Sequence, residues 1–447
     1  GLRLLLDNTS YSSLGVALGA IQKRPVLFAS GNPAEAERLT NVAAGTNSIT
    51  SGIYASALII WGLYLTLFGK IQWGIGLICV GLMVVLKRRQ DFQIAIMRSD
   101  GRFFSTSRIA IQVNFAFSIF IIAGILLFGF WGMLLGLFFG FVWQGILLAK
   151  ADDSVFLQDT FDFRTACHLA LTGLPILAMN SSWMLMGSLD RVLILGVMPD
   201  GETQAGYYSI AILATSWCQD VAGRISLVLY PEYQKNVGKG IDRGIILKQA
   251  EYGTMMLLGA LMAVSLWIMP FCYYIIPQIF PRLSPGLAAF LTMLPGSIFF
   301  AAAWPIRQAL IATGNSWAGT VVALIILIPQ FLVLKSVCAT RSISEVAMIS
   351  SLFQMLATML LILIVWNKTK WDYNSFIFRM KMSIVIPLGL FGYLKIRDFL
   401  SSDIVMNLDN HLFYRLLCVI LPVTILISSF LFAIFRSQRN LLSVNGV

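Results

Sequence analysis

Uncharged apolar runs long enough to cross a lipid bilayer recur along nearly the whole of this sequence. Three examples are 49–68, 115–135 and 416–435. An α-helix rises 1.5 Å per residue, so about 20 apolar residues span the hydrocarbon core. One such run could anchor a soluble protein, whereas about a dozen make the bilayer the solvent of the fold. The sequence therefore predicts an all-α polytopic membrane protein.

The composition excludes several classes of function. Hydrophobic residues make up 58% of the chain and charged residues 12%, about half the usual charged share of a soluble protein. The six cysteines stand singly in apolar segments, there are two histidines, and no phosphate-binding GxxxxGK[ST] motif occurs. Disulfides, a histidine-based metal site and an intrinsic ATPase are therefore not expected. We predict a protein that is not an enzyme and that uses no cofactor or metal.

A pass along the chain predicts thirteen helices, and the basic residues between them predict the topology. The predicted ranges are 4–21, 47–69, 72–97, 104–128, 130–150, 165–198, 203–231, 247–277, 286–312, 316–337, 343–367, 379–396 and 412–436. Lys and Arg number 18 in one set of alternate loops and six in the other, which places the first set and the C-terminus in the cytoplasm. The net charge of +11 follows from this topology and from contact with anionic membrane lipids, so nucleic acid is not an expected partner.

The two halves of the chain contain an internal repeat. The stretch 22–41 matches 234–249 in position, and the turn SDGRF at 99–103 matches TGNSW at 313–317, with offsets of 212 and 213 residues. A duplicated six-helix unit in one orientation would give this shared offset. We predict an N-terminal lobe at 1–150, a C-terminal lobe at 151–372 and two additional helices at 373–447. The first lobe shows five helices, so one transmembrane helix is expected to precede Gly1.

The segment Leu189–Gly206 (LDRVLILGVMPDGETQAG), followed by Tyr207-Tyr208 and then Leu229-Tyr230-Pro231, resembles the multidrug/oligosaccharidyl-lipid/polysaccharide (MOP) flippase superfamily. Within it, the chain resembles the Wzx-type O-antigen transporters. The resemblance implies two six-helix lobes related by a pseudo-twofold axis around a central cavity. It also implies transport of a lipid-linked oligosaccharide across a bacterial inner membrane, with polysaccharide polymerase and ligase machinery as expected partners.

Ionisable residues inside membrane helices are candidates for the site, because a charge at mid-span costs roughly 2.5–3.5 kcal/mol on insertion scales. The cluster at Arg88 and Arg89 follows an apolar run too short to span the bilayer, so the helix is expected to continue through it. Arg88 or Arg89 would then face the cavity, with Asp91 as the i,i+3 partner of Arg88. The alternative is a cytoplasmic flank that begins where the span ends.

Four further polar residues are candidate substrate contacts. Asp220 and Arg224 lie four apart on one helix face, either as an ion pair or as a diphosphate site in which Asp220 orients Arg224. Arg307 has no acidic residue within a turn, so it either faces the cavity or extends to the headgroups. Asn180 lies at mid-span and could bond a sugar or a neighbouring helix.

Two further pairs of residues have an expected structural role or two possible roles. Asp190 and Arg191, near an external helix end, are predicted to form a structural or gating pair. Trp183 and Trp304 could stack on sugar rings or serve helix packing.

The resulting hypothesis is a flippase that moves an isoprenoid-diphosphate-linked oligosaccharide from the cytoplasmic to the periplasmic leaflet through a cationic cavity. The nearest alternative is a cation-coupled multidrug exporter of the same superfamily, which would be expected to carry an acidic and aromatic site. A membrane-embedded polysaccharide polymerase or glycosyltransferase is the remaining alternative, and it would need a large external loop.

Overall fold

The computed structural model describes residues 13–151 and 157–369, together with the single position Thr424. The predicted helices 379–396 and 412–436, and the first part of the predicted helix 4–21, lie outside the described residues. Within the described ranges all regular structure is helical, and eight helices are long and apolar enough to cross a membrane. The chain is a multi-pass membrane protein, and the predicted all-α class is confirmed.

The helices follow the predicted apolar runs in order. They are α1 (Val16–Ala29), α2 (Pro33–Leu67), α3 (Ile71–Ser99), α4 (Phe103–Lys150), α5 (Phe163–Met186), α6 (Leu189–Val197), α7 (Gly201–Gly238), α8 (Arg243–Ile279), a 3-10 turn (Pro281–Gly286), α9 (Leu287–Ala302), α10 (Trp304–Ala312), α11 (Ser316–Thr340) and α12 (Ile343–Lys368).

The chain reverses direction inside α4 at Gly129, whose φ of 58° and ψ of −132° are not helical. This is the break predicted between 104–128 and 130–150. The two arms approach so closely that a Cβ atom added to Gly132 would lie 1.8 Å from the carbonyl oxygen of Gly124. Glycine is required here both for the backbone conformation and for the contact between the arms.

Two predicted helices are interrupted. The range 165–198 is divided between α5 and α6 at Gly187 and Ser188, where the Ser188 hydroxyl donates to the Met184 carbonyl at 2.9 Å and competes with the helical pattern. The range 286–312 is divided at Ala303, just before Pro305 at the start of α10. Proline lacks an amide hydrogen and clashes with the carbonyl four residues before it, which explains the second break.

Other helices are longer than predicted. α2 begins at Pro33, a residue well suited to the first helical turn, whereas the prediction began it at residue 47. α7 continues through Pro231 to Gly238, whereas the prediction ended it at residue 231. These extensions are polar, so apolar length alone does not reveal them.

The described residues fall into two compact units, which confirms the predicted two-lobe organisation. Unit 1 lies within 1–178 and 227–241, and unit 2 lies within 179–226 and 242–447. Two of the three divisions fall inside α5 and α7, and the third lies between α7 and α8. The predicted boundary at residue 150 concerns the duplicated segments rather than these contacts, and it stays a prediction.

The repeat landmarks have a structural counterpart within unit 1. Gln22 and Gln234, which the repeat makes equivalent, are in contact: Gln234 Nε2 donates to the backbone oxygen of Gln22 at 3.0 Å. A Cβ atom at Gly238 would lie 2.5 Å from the Val26 carbonyl oxygen. The last turns of α7 therefore pack directly on α1.

A buried ion pair holds three helix ends of unit 1 together. Arg24 on α1 donates from Nε and Nη2 to the two carboxylate oxygens of Asp100, at 2.8 and 3.0 Å. Its Nη1 donates to the Thr40 hydroxyl on α2 at 2.9 Å. The Arg24 side chain is 6% exposed and that of Asp100 is 12% exposed. The bidentate geometry compensates both charges and fixes the end of α3 against α1 and α2.

We expect Arg24→Met to lower the free energy of unfolding by about 3–5 kcal/mol, because it removes the bidentate partner of Asp100 and leaves that carboxylate only Arg102, at 3.9 Å. The control Arg341→Met removes an exposed arginine paired with Glu345 and should cost at most about 1 kcal/mol. Denaturant unfolding of the protein in detergent measures both. The double variant Arg24→Met/Asp100→Asn should recover part of the lost stability. Equal losses in Arg24→Met and Arg341→Met would contradict a structural role for the Arg24–Asp100 pair.

Candidate functional site

Arg307 of unit 2 is a buried cation enclosed by tryptophan rings. α10 begins at Trp304, so Arg307 lies in its first turn, and the residue is 4% exposed. Its guanidinium carbon lies 4.6 Å from the centroid of the Trp304 ring and 4.7 Å from that of Trp183. Both distances are within cation–π range. The two rings replace part of the hydration that the guanidinium loses.

Hydrogen bonds fix both rings and leave Arg307 one side-chain partner. Trp304 Nε1 donates to Gln219 Oε1 at 2.6 Å, and Trp183 Nε1 donates to the Gly319 carbonyl at 3.1 Å. Arg307 Nη2 donates to Asn180 Oδ1 at 3.4 Å, at the long end of the hydrogen-bond range. Two residues predicted independently, Arg307 and Asn180, are therefore brought together.

The cluster around Arg307 retains donors with no acceptor. Arg307 Nε and Gln219 Nε2 are buried without a hydrogen-bond partner. In the described part of the chain no carboxylate lies within 4.0 Å of Arg307. A buried cation without an anion carries a large desolvation cost. The arrangement is therefore chemically suited to an anionic ligand rich in acceptor oxygens.

Unit 1 buries a second arginine in a similar way. Arg88 is 7% exposed, and its Nη2 donates to Asn47 Oδ1 at 2.7 Å. The Asn47 amide donates in return to the Arg88 backbone carbonyl at 3.3 Å. Arg88 Nε is buried without a partner. The helix α3 continues through this cluster to Ser99, as expected. The alternative, a cytoplasmic flank that begins where the membrane span ends, stays open.

The two arginines lie on helices that the repeat makes equivalent, although they are 219 residues apart rather than 212 or 213. Arg88 lies on the helix that ends at the turn 99–103, and Arg307 lies on the helix that ends at the turn 313–317. Each is held by an asparagine side-chain oxygen from another helix and keeps an unpartnered Nε. Within the described residues, each unit thus contains one arginine of this kind.

The expected pairing of Asp91 with Arg88 is corrected by the structure. Asp91 accepts from Lys87 at 2.8 Å in an i,i+4 ion pair, because Arg88 points into the protein while Lys87 and Asp91 share the accessible face. Arg89 is exposed and pairs with Asp159 at 3.2 Å. Of the two arginines considered at this position, Arg88 is the buried one.

Asp220 and Arg224 are both exposed on α7, and no ion pair joins their side chains. The interpretation as an intrahelical ion pair is therefore wrong, and a role of these residues in substrate binding stays a prediction.

Asp190 is 2% exposed but does not pair with the guanidinium of Arg191. Its carboxylate accepts from the Tyr208 hydroxyl at 2.5 Å and from the Arg191 backbone amide at 2.8 Å. The Arg191 side chain donates instead to the Gly187 carbonyl at 3.1 Å. The carboxylate also lies in the first turn of α6, where the helix dipole favours a negative charge. A gating role for Asp190 and Arg191 stays a prediction.

Sequence reasoning missed Asn47 and Gln219, which complete the two arginine clusters. Both are uncharged amides in long helices, and such residues are common at helix contacts in membranes. The sequence feature that could have revealed them is the side-chain carboxamide, because a carboxamide inside an otherwise apolar helix needs a polar partner. Within the described ranges no group of three or more His, Cys, Asp or Glu side chains could hold a metal ion.

Comparison with known proteins identifies the fold. No protein-family model and no curated protein sequence matches the chain. Solved structures do, among them an outward-facing multidrug resistance MATE family transporter of the MOP superfamily, at 13% identity, 84% coverage of this chain, 85% of the other and a TM-score of 0.64. The bent form of the Vibrio cholerae MATE transporter VcmN matches at 12% identity, 82% and 86% coverage and a TM-score of 0.64.

A MOP superfamily transporter from Pyrococcus furiosus also matches, with 12% identity, 84% and 85% coverage and a TM-score of 0.60. That protein is described as having a binding pocket of reverse polarity that suggests a different function. At these identities the likeness shows that the chain has the fold of MATE transporters of the MOP superfamily. The fold that the resemblance implies is therefore confirmed.

We expect Trp304→Phe to reduce stability by about 1–3 kcal/mol, because it keeps an aromatic face beside Arg307 but leaves Gln219 Oε1 without its donor. Trp304→Ala should cost more, because it also removes the ring from the guanidinium. Denaturant unfolding in detergent measures both changes. The control Trp317→Phe alters a tryptophan that is 55% exposed. Equal effects at positions 304 and 317 would contradict the arrangement.

Proposed function

We propose that this protein is a flippase that moves an isoprenoid-diphosphate-linked oligosaccharide from the cytoplasmic to the periplasmic leaflet of a bacterial inner membrane. The observation that carries the proposal is Arg307, a buried guanidinium with two aromatic neighbours, no carboxylate partner among the described residues and an unpartnered Nε. The MATE-type fold supports transport as the class of activity.

A diphosphate carries about two negative charges that cannot cross hydrocarbon unpaired. A guanidinium binds phosphate oxygens through parallel N–H donors, and these charge-assisted hydrogen bonds are the strong ones. Arg307 Nε and Gln219 Nε2 are available for this purpose in unit 2, and Arg88 Nε is available in unit 1. Binding of the diphosphate would supply the anion that each buried cation lacks.

The same uncompensated charges suit alternating exposure of the substrate to the two leaflets. An arginine that already has a carboxylate partner must break an ion pair to bind a phosphate, and must re-form it on release. Among the described residues, the side-chain hydrogen-bond acceptors that Arg307 and Arg88 would give up are only asparagine oxygens. Weak competition of this kind permits both binding and release within one transport cycle, as translocation requires.

A second candidate function is export of cationic drugs. The observation in its favour is Asp190, a buried carboxylate whose side-chain donor is Tyr208, since a carboxylate beside an aromatic ring can attract a cation. A solved neighbour is named as a multidrug resistance transporter. Against it, Asp190 already has two hydrogen-bond donors, whereas Arg307 retains an open one.

We expect Arg307→Gln to slow flipping of a fluorescent isoprenoid-diphosphate oligosaccharide in proteoliposomes by about 10- to 100-fold, the range that follows from losing a hydrogen bond to a charged group. Arg88→Gln should slow it similarly. Arg224→Gln tests the exposed candidate in the same assay. Arg341→Gln, at an exposed ion pair, is the matched control and should flip at the unmodified rate.

The readout is the fraction of label that becomes accessible to a membrane-impermeant quencher, with reconstitution checked by protein content. Full flipping by the double variant Arg88→Gln/Arg307→Gln would refute the proposal. Uptake of an organic cation that is lost in Asp190→Asn but retained in Arg307→Gln would establish the exporter instead.

A further inference from the structure

Unit 1 contains a cavity of about 620 Å³ that is separate from the arginine clusters. It is formed by α1, the first turns of α2, and the start of α5 with the residue before it. Its charged lining consists of Lys23, Glu35, Arg38, Asp162 and Arg164, and His168 lies beside them. All three basic residues belong to the loops predicted to face the cytoplasm, so the cavity is expected to open on that side.

The two carboxylates of the cavity are already occupied. Glu35 accepts from Arg38 Nε and Nη2 at 2.9 and 3.1 Å. Asp162 accepts from the Thr165 hydroxyl and from the Arg164 backbone amide. These hydrogen bonds, with that of Thr165 contributing most, lower the pKa of the Asp162 carboxyl. Arg38 Nη1 lies 3.9 Å from Asp162. Arg38 and the two carboxylates therefore form one network.

The other two cations of the cavity have no carboxylate partner in the described ranges. The guanidinium of Arg164 forms no hydrogen bond or ion pair with any described residue, and Arg164 is exposed. Lys23 Nζ lies 2.6 Å from His168 Nε2, within hydrogen-bond distance. Three cations thus face two carboxylates, and the excess positive charge lies at Lys23 and Arg164.

Size and wall chemistry indicate the class of ligand. A volume of about 620 Å³ is in the range of small-molecule sites, about 300–1,000 Å³. Val26, Leu27 and Leu39 provide an apolar wall beside the cations. Phosphate oxygens match both guanidinium and ammonium donors, and the apolar wall accommodates a carbon-bearing group attached to the phosphate.

We propose that this cavity binds a phosphate-bearing anion at the cytoplasmic face, held by Lys23 and Arg164 with Arg38 as the fixed side of the site. The phosphate could belong to the headgroup of an anionic phospholipid or to a soluble phosphate compound, and the chemistry of recognition is the same. The site is independent of the proposed transport activity.

The test uses the full-length protein with two probes. Inorganic diphosphate is titrated in neutral detergent by calorimetry, and the unfolding temperature is compared between nanodiscs of phosphatidylcholine alone and nanodiscs that also contain phosphatidylglycerol. We expect Lys23→Ala/Arg164→Ala to weaken diphosphate binding about tenfold or more, or to abolish the stabilisation given by phosphatidylglycerol. The first result identifies a soluble ligand and the second a lipid.

The matched control is Lys239→Ala/Arg243→Ala, which removes two exposed cations from the same predicted side but outside the cavity lining. It should keep the response of the unmodified protein. The double variant Lys23→Arg/Arg164→Lys retains both charges and should keep the response to the probe. This variant distinguishes an effect of charge from an effect of altered packing. The proposal is overturned if neither probe affects the unmodified protein, or if the cavity and control variants lose the response equally.

Discussion

The cost of burying a guanidinium in a fold whose solvent is hydrocarbon organises the described structure. Three arginines are less than a tenth exposed, and each has a different set of partners. Arg24 has both oxygens of Asp100, Arg88 has the amide of Asn47, and Arg307 has two tryptophan rings and a long contact to Asn180. A full ion pair stabilises its surroundings, whereas partial compensation leaves free energy available for a ligand. Arg24 thus has the contacts of a structural residue, whereas Arg307 has those expected of a residue that binds an anionic ligand.

The fold could be predicted largely from the sequence because one quantity, apolar length, decides which segments enter the bilayer. The break at Gly129 falls between the predicted ranges 104–128 and 130–150. The interruption at Gly187 and Ser188 was missed because both residues are small and compatible with an apolar helix. The extension of α7 to Gly238 was missed for the opposite reason: hydropathy measures affinity for lipid, and a helix can continue into water when other helices pack against it.

The candidate site was predictable in its charges but not in its contacts. Arg307 and Asn180 were named separately, yet they are 127 residues apart in the chain, and no local pattern joins them. Asn47 and Gln219 were missed because an amide costs less to bury than a charge and is less conspicuous in a sequence. The spacing rule for helical ion pairs gave the wrong partner for Asp91. Arg88 at i,i+3 and Lys87 at i,i+4 both satisfy the rule, but Arg88 points into the protein, so Asp91 pairs with Lys87.

The match to known transporters rests on helix arrangement at 12–13% identity, so the proposal of an anionic substrate is carried by the buried charges rather than by the fold. The discriminating property is which buried charge lacks a partner. In unit 2 the negative charge of Asp190 is met by a hydroxyl, a backbone amide and the start of a helix. The positive charge of Arg307 has aromatic faces and one weak acceptor, with a donor left over. A cationic substrate would increase this imbalance, whereas an anionic substrate removes it.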